Sequence, residues 1–302
     1  MEKIVVICGP TGIGKTNFAI NIAKSLNGEI ISADSMQVYK HMNIGTAKPE
    51  KKELKQVCHH LIDIVDPKDD FNAGRFVKLA DKAIKNIINK KKIPIVAGGT
   101  GLYIKALLYG LFEEKITFKK TLNQSIKKPD EHKNSSLYKK LKKHDPQAAK
   151  KIHPNDSFRV IRALKIYYET GKKISEQQKK HDFKDLRYKC IKIGLGIERK
   201  ILYESINKRV DMMINKGLLK EVKTLIDNGY DNNLKSMQSI GYKHMSMFIE
   251  KKIDWKEAIE LLKRDTRRYA KRQFTWFKSD KKIVWLEPSQ FEHAKKIIKD
   301  FL

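Results

Sequence analysis

At 302 residues with 40% hydrophobic content, the chain is long enough to bury a full core as one large or two smaller domains. No apolar run approaches the roughly 18 residues of a membrane span, and the short apolar stretch before Gly9 lacks the build of a cleaved signal peptide, so a cytoplasmic protein without a membrane partner is expected. Lys and Arg number 64 against 35 Asp and Glu, a formal net charge of +29, which favours polyanionic partners and nucleic acid first among them.

"KIVVIC" predicts a buried strand that runs directly into "GPTGIGKT". That loop, Gly9, Pro10, Thr11, Gly12, Ile13, Gly14, Lys15 and Thr16, matches G-x-x-x-x-G-K-[ST] at every fixed position. Glycines let backbone N–H groups point at phosphate oxygens, and the following helix adds its positive end. Lys15 neutralises phosphate charge and the Thr16 hydroxyl can reach Mg2+. The pattern announces a polyphosphate without saying which one.

A helix is predicted from Lys15, with Phe18, Ala19, Ile22, Ala23 and Leu26 on one face and Asn27-Gly28 at its end. "EIISADS" predicts a second strand with Asp34 at its exit. "CHH", Cys58 to His60, lacks the paired ligand spacing of a zinc site and is assigned to packing. The third cysteine pattern is equally bare: Cys8, Cys58 and Cys190 form no disulfide or zinc framework, as a reducing compartment allows. A second helix is expected from Ala73 to Asn89, with Phe76, Ala80, Ala83, Ile84 and Ile87 inward. "IPIVAGGT" predicts another strand opening through glycines into a helix. This alternation argues a P-loop NTPase-like α/β fold, a parallel sheet flanked by helices with ligands at the strand C-termini.

From 113 to 187 the texture changes. Lysine pairs recur at 119, 127, 139 and 142, and Leu137, Leu141, Val160, Ala163, Leu164 and Tyr167 follow helical spacing. This predicts a basic, all-helical insertion domain between the core segments 1–112 and 188–302, with "YKCIKIGL" returning the chain to the sheet. Only 10 of the 64 basic residues are arginine, and most of them cluster: Arg159 and Arg162, then Arg264, Arg267, Arg268 and Arg272. In a lysine-biased chain these mark sites that need a planar fork, as contacts to phosphates or bases do.

An NTPase ordinarily pairs its loop with an apolar strand ending in Asp. Here "IPIVAGGT" ends in Gly98, Gly99 and Thr100, and the nearest acid is Asp34. It could hold Mg2+ through water, accept a proton, or cap the following turn.

In chain order, "GPTGIGKT", "ISADSMQVYKHMNIGTAKP", "HHLID", "VAGGTGLY", "HPNDSFRVIRAL", "SIGYKH" and "RRYAKRQFTWF" resemble the bacterial tRNA dimethylallyltransferase (isopentenyl transferase) family over nearly the whole chain. The resemblance implies transfer of a dimethylallyl group from dimethylallyl diphosphate to the exocyclic amine of the adenosine on the 3' side of the anticodon, in tRNAs reading codons that begin with U. It implies that the loop, with Mg2+, grips diphosphate, that Thr11, Lys15 and Arg209 act on it, and that Asp34 is the general base. For tRNA it implies Asp34, Ser35, Met36, Gln37 and Thr100 around the flipped base. Further contacts are implied at Phe158, Arg159, Val160, Ile161 and Arg162, and at Ser239, Ile240, Gly241, Tyr242, Lys243 and His244. The last set is Arg268, Lys271, Arg272, Gln273, Phe274, Thr275, Trp276, Phe277 and Lys278. Where some relatives carry a tRNA-facing arginine, this chain has Leu122, with Lys119 or Lys120 as the expected replacement. A monomer is expected. The runner-up, a small-molecule or nucleotide kinase, explains the loop and Asp34 but leaves the insertion and the arginines without a role. A GTPase-like switch would want a guanine-reading N-K-x-D motif, which is absent.

Overall fold

The computed structural model describes residues 1–111, 131–181 and 185–302. They form two compact units, Met1–Leu108 with Leu186–Leu302, and Tyr109–Asp185.

The first unit is built on a parallel sheet of β1 (Lys3–Cys8), β2 (Gly28–Ser32), β3 (His59–His60), β4 (Ile93–Gly98), β5 (Lys189–Leu195) and β6 (Ile283–Leu286). Their spatial order is β3-β2-β4-β1-β5-β6. Ile4, Val5, Val6 and Ile7 are all fully buried, so β1 shows a continuous apolar run rather than alternation. From β1 the chain moves outward to β2 and β3, returns to fill the slot between β2 and β1 as β4, and then crosses to β5. Strand order therefore reverses beside β1, which opens a crevice at the carboxyl ends. The register levels those ends: Ile7 pairs with Ala97 and Ile193, and Ser32 also pairs with Ala97.

The helix Lys15–Ser25 buries Phe18, Ala19, Ile22 and Ala23 against the sheet. The helix Ala73–Asn89 has the boundaries and the inward stripe that its spacing predicts, and the Asn72 side chain caps it by accepting from Arg75 N–H at 3.0 Å. Two strands were not expected. The edge strand β3 is two residues long, too short for any alternation to show. In β6, "IVWL" sits in a lysine-rich surround that reads as helical, yet it pairs with β5.

The second unit contains the helices Glu131–His144, Pro146–Lys151, Ser157–Thr170 and Ile174–His181. Its core joins Leu141, Ala148, Ala149, Val160, Ala163, Leu164, Ile166 and Ile174. Ile166 takes the buried place beside Leu164, while Tyr167 is half-buried against His144. Asp145 locks the connection: its carboxylate accepts from Ala148 N–H and from both the N–H and the hydroxyl of Ser175. Lys119, Lys120 and Leu122 lie outside the described residues. No helix among the described residues is long and apolar enough to cross a membrane.

Candidate active site

The loop after β1 needs glycine for distinct reasons. A Cβ on Gly9 would lie 2.8 Å from the Leu195 carbonyl oxygen. Gly14 has open space around it but sits at φ 89°, where it turns the chain into the helix Lys15–Ser25. Two remote side chains then fix the loop. Ser205 donates its hydroxyl to Gly12 O at 2.7 Å, and Gln273 accepts from Thr11 N–H at 2.8 Å while donating to Gly99 O at 2.9 Å. Gln273 is buried, and a Cβ on Gly99 would fall 2.2 Å from its amide nitrogen, so Gly99 is the residue that admits this latch. Removing two hydrogen bonds worth about 1 kcal/mol each, Gln273→Ala should weaken binding of the loop's anion by up to roughly 30-fold. Calorimetry against a diphosphate checks this, with tRNA affinity expected to be unchanged.

The loop opens on a cavity of about 980 Å³. Gly12, Gly14, Lys15 and Thr16 line one side and Asp34 and Gln37 another, with Arg209, Tyr269 and Gln273 also facing it. Ile44, Leu54, Ile62, Met212 and Met213 add apolar surface to the lining. Within the loop, Gly9, Pro10 and Ile13 are buried and do not line the cavity; Ile13 belongs to the core. They shape the cradle without touching its contents.

Lys15 donates to Pro10 O at 2.7 Å. Burial pushes its ammonium down, and the Arg209 charge pushes it further, to about 8. Burial lowers Arg209 as well, while the Asp34 charge opposes that. Ser205 and Arg209 stand one turn apart on the helix Arg199–Asn215, so the residue that anchors the loop also aims its second cation. Two desolvated cations facing one cradle form a site whose missing partner is an anion with charge to spread.

Asp34 lies two residues beyond the end of β2. Its Oδ1 accepts from Met36 N–H at 2.8 Å and Gln37 N–H at 3.3 Å, so it does cap the turn. Its Oδ2 makes no hydrogen bond among the described residues and belongs to a cavity-lining side chain. The turn is thus held through one oxygen alone. Thr100 ties the neighbouring strand exits together by accepting from Ser35 N–H at 3.0 Å through its hydroxyl, while its own N–H donates to Ala33 O. Tyr269 lies near Asp34; burial, then the Asp34 charge, pushes its phenol up to about 12, which keeps it a proton donor.

The structure sorts the residues implied for tRNA. In the second unit, Phe158 is 73% exposed, Arg159 and Arg162 are exposed, Ile161 is half-buried, and Val160 belongs to the core. In "SIGYKH", Lys243 is exposed and Ser239 and Ile240 are half-buried. Gly241, Tyr242 and His244 are buried. Tyr242 donates to Glu221, whose carboxylate also accepts from the backbone N–H groups of Asn43, Ile44 and Gly45. His244 pairs with Asp265. Tyr242 and His244 thus have their polar atoms engaged inside the fold, and Tyr242, through Glu221, braces the 43–45 backbone beside the cavity. On the helix Trp255–Lys278, Gln273 and Phe277 are likewise buried, and Phe274 packs on Trp285. Arg268, Lys271, Arg272, Thr275 and Trp276 instead line an exposed depression, and Lys278 is exposed. Arg267 is engaged with Asn207 at 2.6 Å.

Comparison with known proteins finds relatives along the whole chain. The tRNA dimethylallyltransferase of Acetivibrio thermocellus is 49% identical over 304 residues, covering 99% of this chain and 96% of its own. That of Alkaliphilus oremlandii is 46% identical over 305 residues, covering 99% and 97%. Among solved structures, the tRNA isopentenylpyrophosphate transferase of Bacillus halodurans superposes with a TM-score of 0.76 at 39% identity, covering 100% of this chain and 97% of that one. A eukaryotic dimethylallyltransferase acting on tRNA superposes with a TM-score of 0.85 at 33% identity, covering 100% and 79%. The model of the IPP transferase family matches residues 37–280, a span that runs from the Asp34 turn to the end of the latch-bearing helix, and the chain belongs to that family.

Proposed function

We propose that this protein is a tRNA dimethylallyltransferase, moving a dimethylallyl group from dimethylallyl diphosphate to the exocyclic amine of the adenosine 3' of the anticodon in tRNAs reading codons that begin with U. The observation that carries this reading is a phosphate loop whose cavity is lined by Lys15, Arg209 and Asp34 together with apolar side chains, one Asp34 oxygen making no hydrogen bond among the described residues. The cations suit a diphosphate, Met212, Met213 and Leu54 suit a branched five-carbon group, and the carboxylate suits a proton acceptor.

The reaction breaks the bond between the allylic carbon and the diphosphate oxygen, and the electron pair leaves with diphosphate. Lys15, Arg209 and the loop N–H groups are placed to stabilise that developing charge without reorganising. The adenine nitrogen forms the new bond to the allylic carbon and passes its proton to Asp34. Extruding the base from the anticodon stack costs a few kcal/mol. The loop's free hydroxyl fits a hard cation: Thr16 faces the cavity, its oxygen makes no hydrogen bond among the described residues, and with diphosphate oxygens it would hold Mg2+. Bound there, Mg2+ supplies further neutralisation of the leaving group. The basic second unit is the proposed tRNA-binding domain, and the protein acts as a monomer in the cytoplasm.

The test is incorporation of label from radiolabelled dimethylallyl diphosphate into unmodified tRNA, run beside ATP consumption. Transfer without ATP turnover is expected; robust ATP turnover independent of tRNA would overturn the reading in favour of a kinase. The exposed arginines give a sharper expectation. Arg162→Lys, Arg268→Lys and Arg272→Lys keep charge but lose the planar fork and stacking surface, so each should weaken tRNA binding while donor affinity holds. Lys142→Gln should only lower the salt dependence of tRNA binding, by roughly one unit of slope or less. Titrations of tRNA across a salt series separate the two; equal behaviour of the Arg→Lys variants and wild type would mean that charge alone suffices.

A further inference from the structure

The short edge strand β3 brings together three metal-ligating side chains that the function leaves unused. Glu29 from β2, and Cys58 and His60 from the β3 segment, hold one donor atom each within 4.8 Å of one another. His60 Nε2 lies 2.7 Å from Glu29 Oε2 and 3.7 Å from Cys58 Sγ. The nitrogen–sulfur spacing is close to the roughly 3.6 Å between an imidazole and a thiolate on one tetrahedral zinc ion, and the hydrogen-bonded nitrogen–oxygen pair would open by roughly 0.6 Å to share it. The geometry points to a site for a thiophilic divalent cation of the zinc class at Glu29, Cys58 and His60, with the exposed Cys58 side left for a water ligand.

The donor set argues for zinc over the hard cations. Thiolate and imidazole select zinc-class ions, whereas Mg2+ and Ca2+ want oxygen alone. Glu29 is 2% exposed, and its carboxylate is hydrogen-bonded to Lys92, His60 and Lys90. Lys92 sits on Oε1 at 2.9 Å, and Lys90 reaches Oε1 at 3.3 Å and Oε2 at 3.4 Å. The oxygen facing the sulfur and the imidazole is thus only weakly held by ammonium. Lys90 is 53% and Lys92 36% exposed, so either can turn to water or remain as an outer partner of the ligating carboxylate. Binding exchanges the thiol proton, released to solvent, for a metal–sulfur bond; the proton between His60 Nε2 and Glu29 passes through solvent to Nδ1, and both former partners become ligands.

The place in the fold gives such a site an effect. β3 is held to β2 by only two register pairs, Ile30 with His59 and Ile31 with His60. A metal would cross-link the same two strands, and the chain leaving β3 supplies Ile62 and Asp63 to the cavity wall. This inference is independent of the reaction at the phosphate loop.

The experiment titrates the full chain, free of any affinity tag, with Co2+ as a spectroscopic stand-in for zinc, and separately with Zn2+ in the presence of a thiol reagent. Cys8 is buried and Cys190 half-buried, so Cys58 is the fast-reacting thiol. A thiolate-to-cobalt charge-transfer band should grow to one equivalent, vanish in Cys58→Ser, and need roughly tenfold more metal or more in His60→Gln. Zn2+ should slow modification of Cys58. Cys58→Ser changes one atom at an exposed position, so loss of fold is not expected to confuse the result. No band at micromolar cobalt, a band that survives Cys58→Ser, or Cys58 modification unaffected by Zn2+ would each overturn the site.

Discussion

Lys15→Ala is expected to lower prenyl transfer by roughly 10³-fold or more, the scale of losing a preorganised charge at a developing anion. The structure explains why the loss should be large. Lys15 is held against Pro10 O inside the loop, beside Arg209, in a setting whose burial already costs its charge. That cost is recovered only when an anion arrives, and more fully as charge builds on the departing diphosphate. A pH dependence follows from the same fact. Free Lys15 titrates near 8, and a bound diphosphate raises that value. Below 8 the ammonium is already formed and affinity is full; above 8 binding must take up a proton, so affinity falls as pH rises through that range. Calorimetry in buffers of different ionisation heat reads this uptake directly. Affinity that stays flat from about pH 7 to 9, with no proton uptake, would mean that Lys15 remains charged without the anion.

How much of this was legible in advance depends on how far apart the cooperating residues lie in the chain. The phosphate loop is eight consecutive residues with its strand and helix, and the Ala73–Asn89 helix carries its own stripe, so both can be read locally. The loop's supports cannot. Ser205 and Gln273 reach Gly12 and Thr11 across 193 and 262 positions, and no local pattern marks either as a partner of glycines. Glu221 looks like an ordinary exposed-face acid in "LLKEV", yet its carboxylate gathers three backbone N–H groups and the Tyr242 hydroxyl. The same distance effect hides the internal partners of Tyr242, His244 and Gln273. Polar residues inside a motif resemble surface contacts until burial shows that their polar atoms are already satisfied. "CHH" reads as packing for the matching reason, because Glu29, which stands beside Cys58 and His60, comes from another strand.

Asp34→Asn should reduce turnover by roughly 10² to 10⁴-fold with little change in tRNA affinity, the range for losing a positioned proton acceptor. Asn is the informative replacement because Asp34 does two things with two oxygens. Its Oδ1 holds the turn through Met36 and Gln37 N–H, and an amide oxygen can keep both bonds. Its other oxygen becomes an NH2 group that cannot take a proton from the adenine amine. Asp34→Ala removes the turn bonds as well, so it should add a stability loss of about 1 kcal/mol, read in the unfolding midpoint. A secondary effect distinguishes charge from proton transfer. The Asp34 carboxylate supports the protonated forms of both Lys15 and Arg209, so Asn should move the pH dependence of diphosphate binding lower. Single-turnover transfer at saturating donor and tRNA isolates the chemical step from these binding changes. Should Asp34→Asn turn over like wild type while Asp34→Ala fails, the carboxylate serves the turn, and the proton acceptor must be sought elsewhere on the cavity wall.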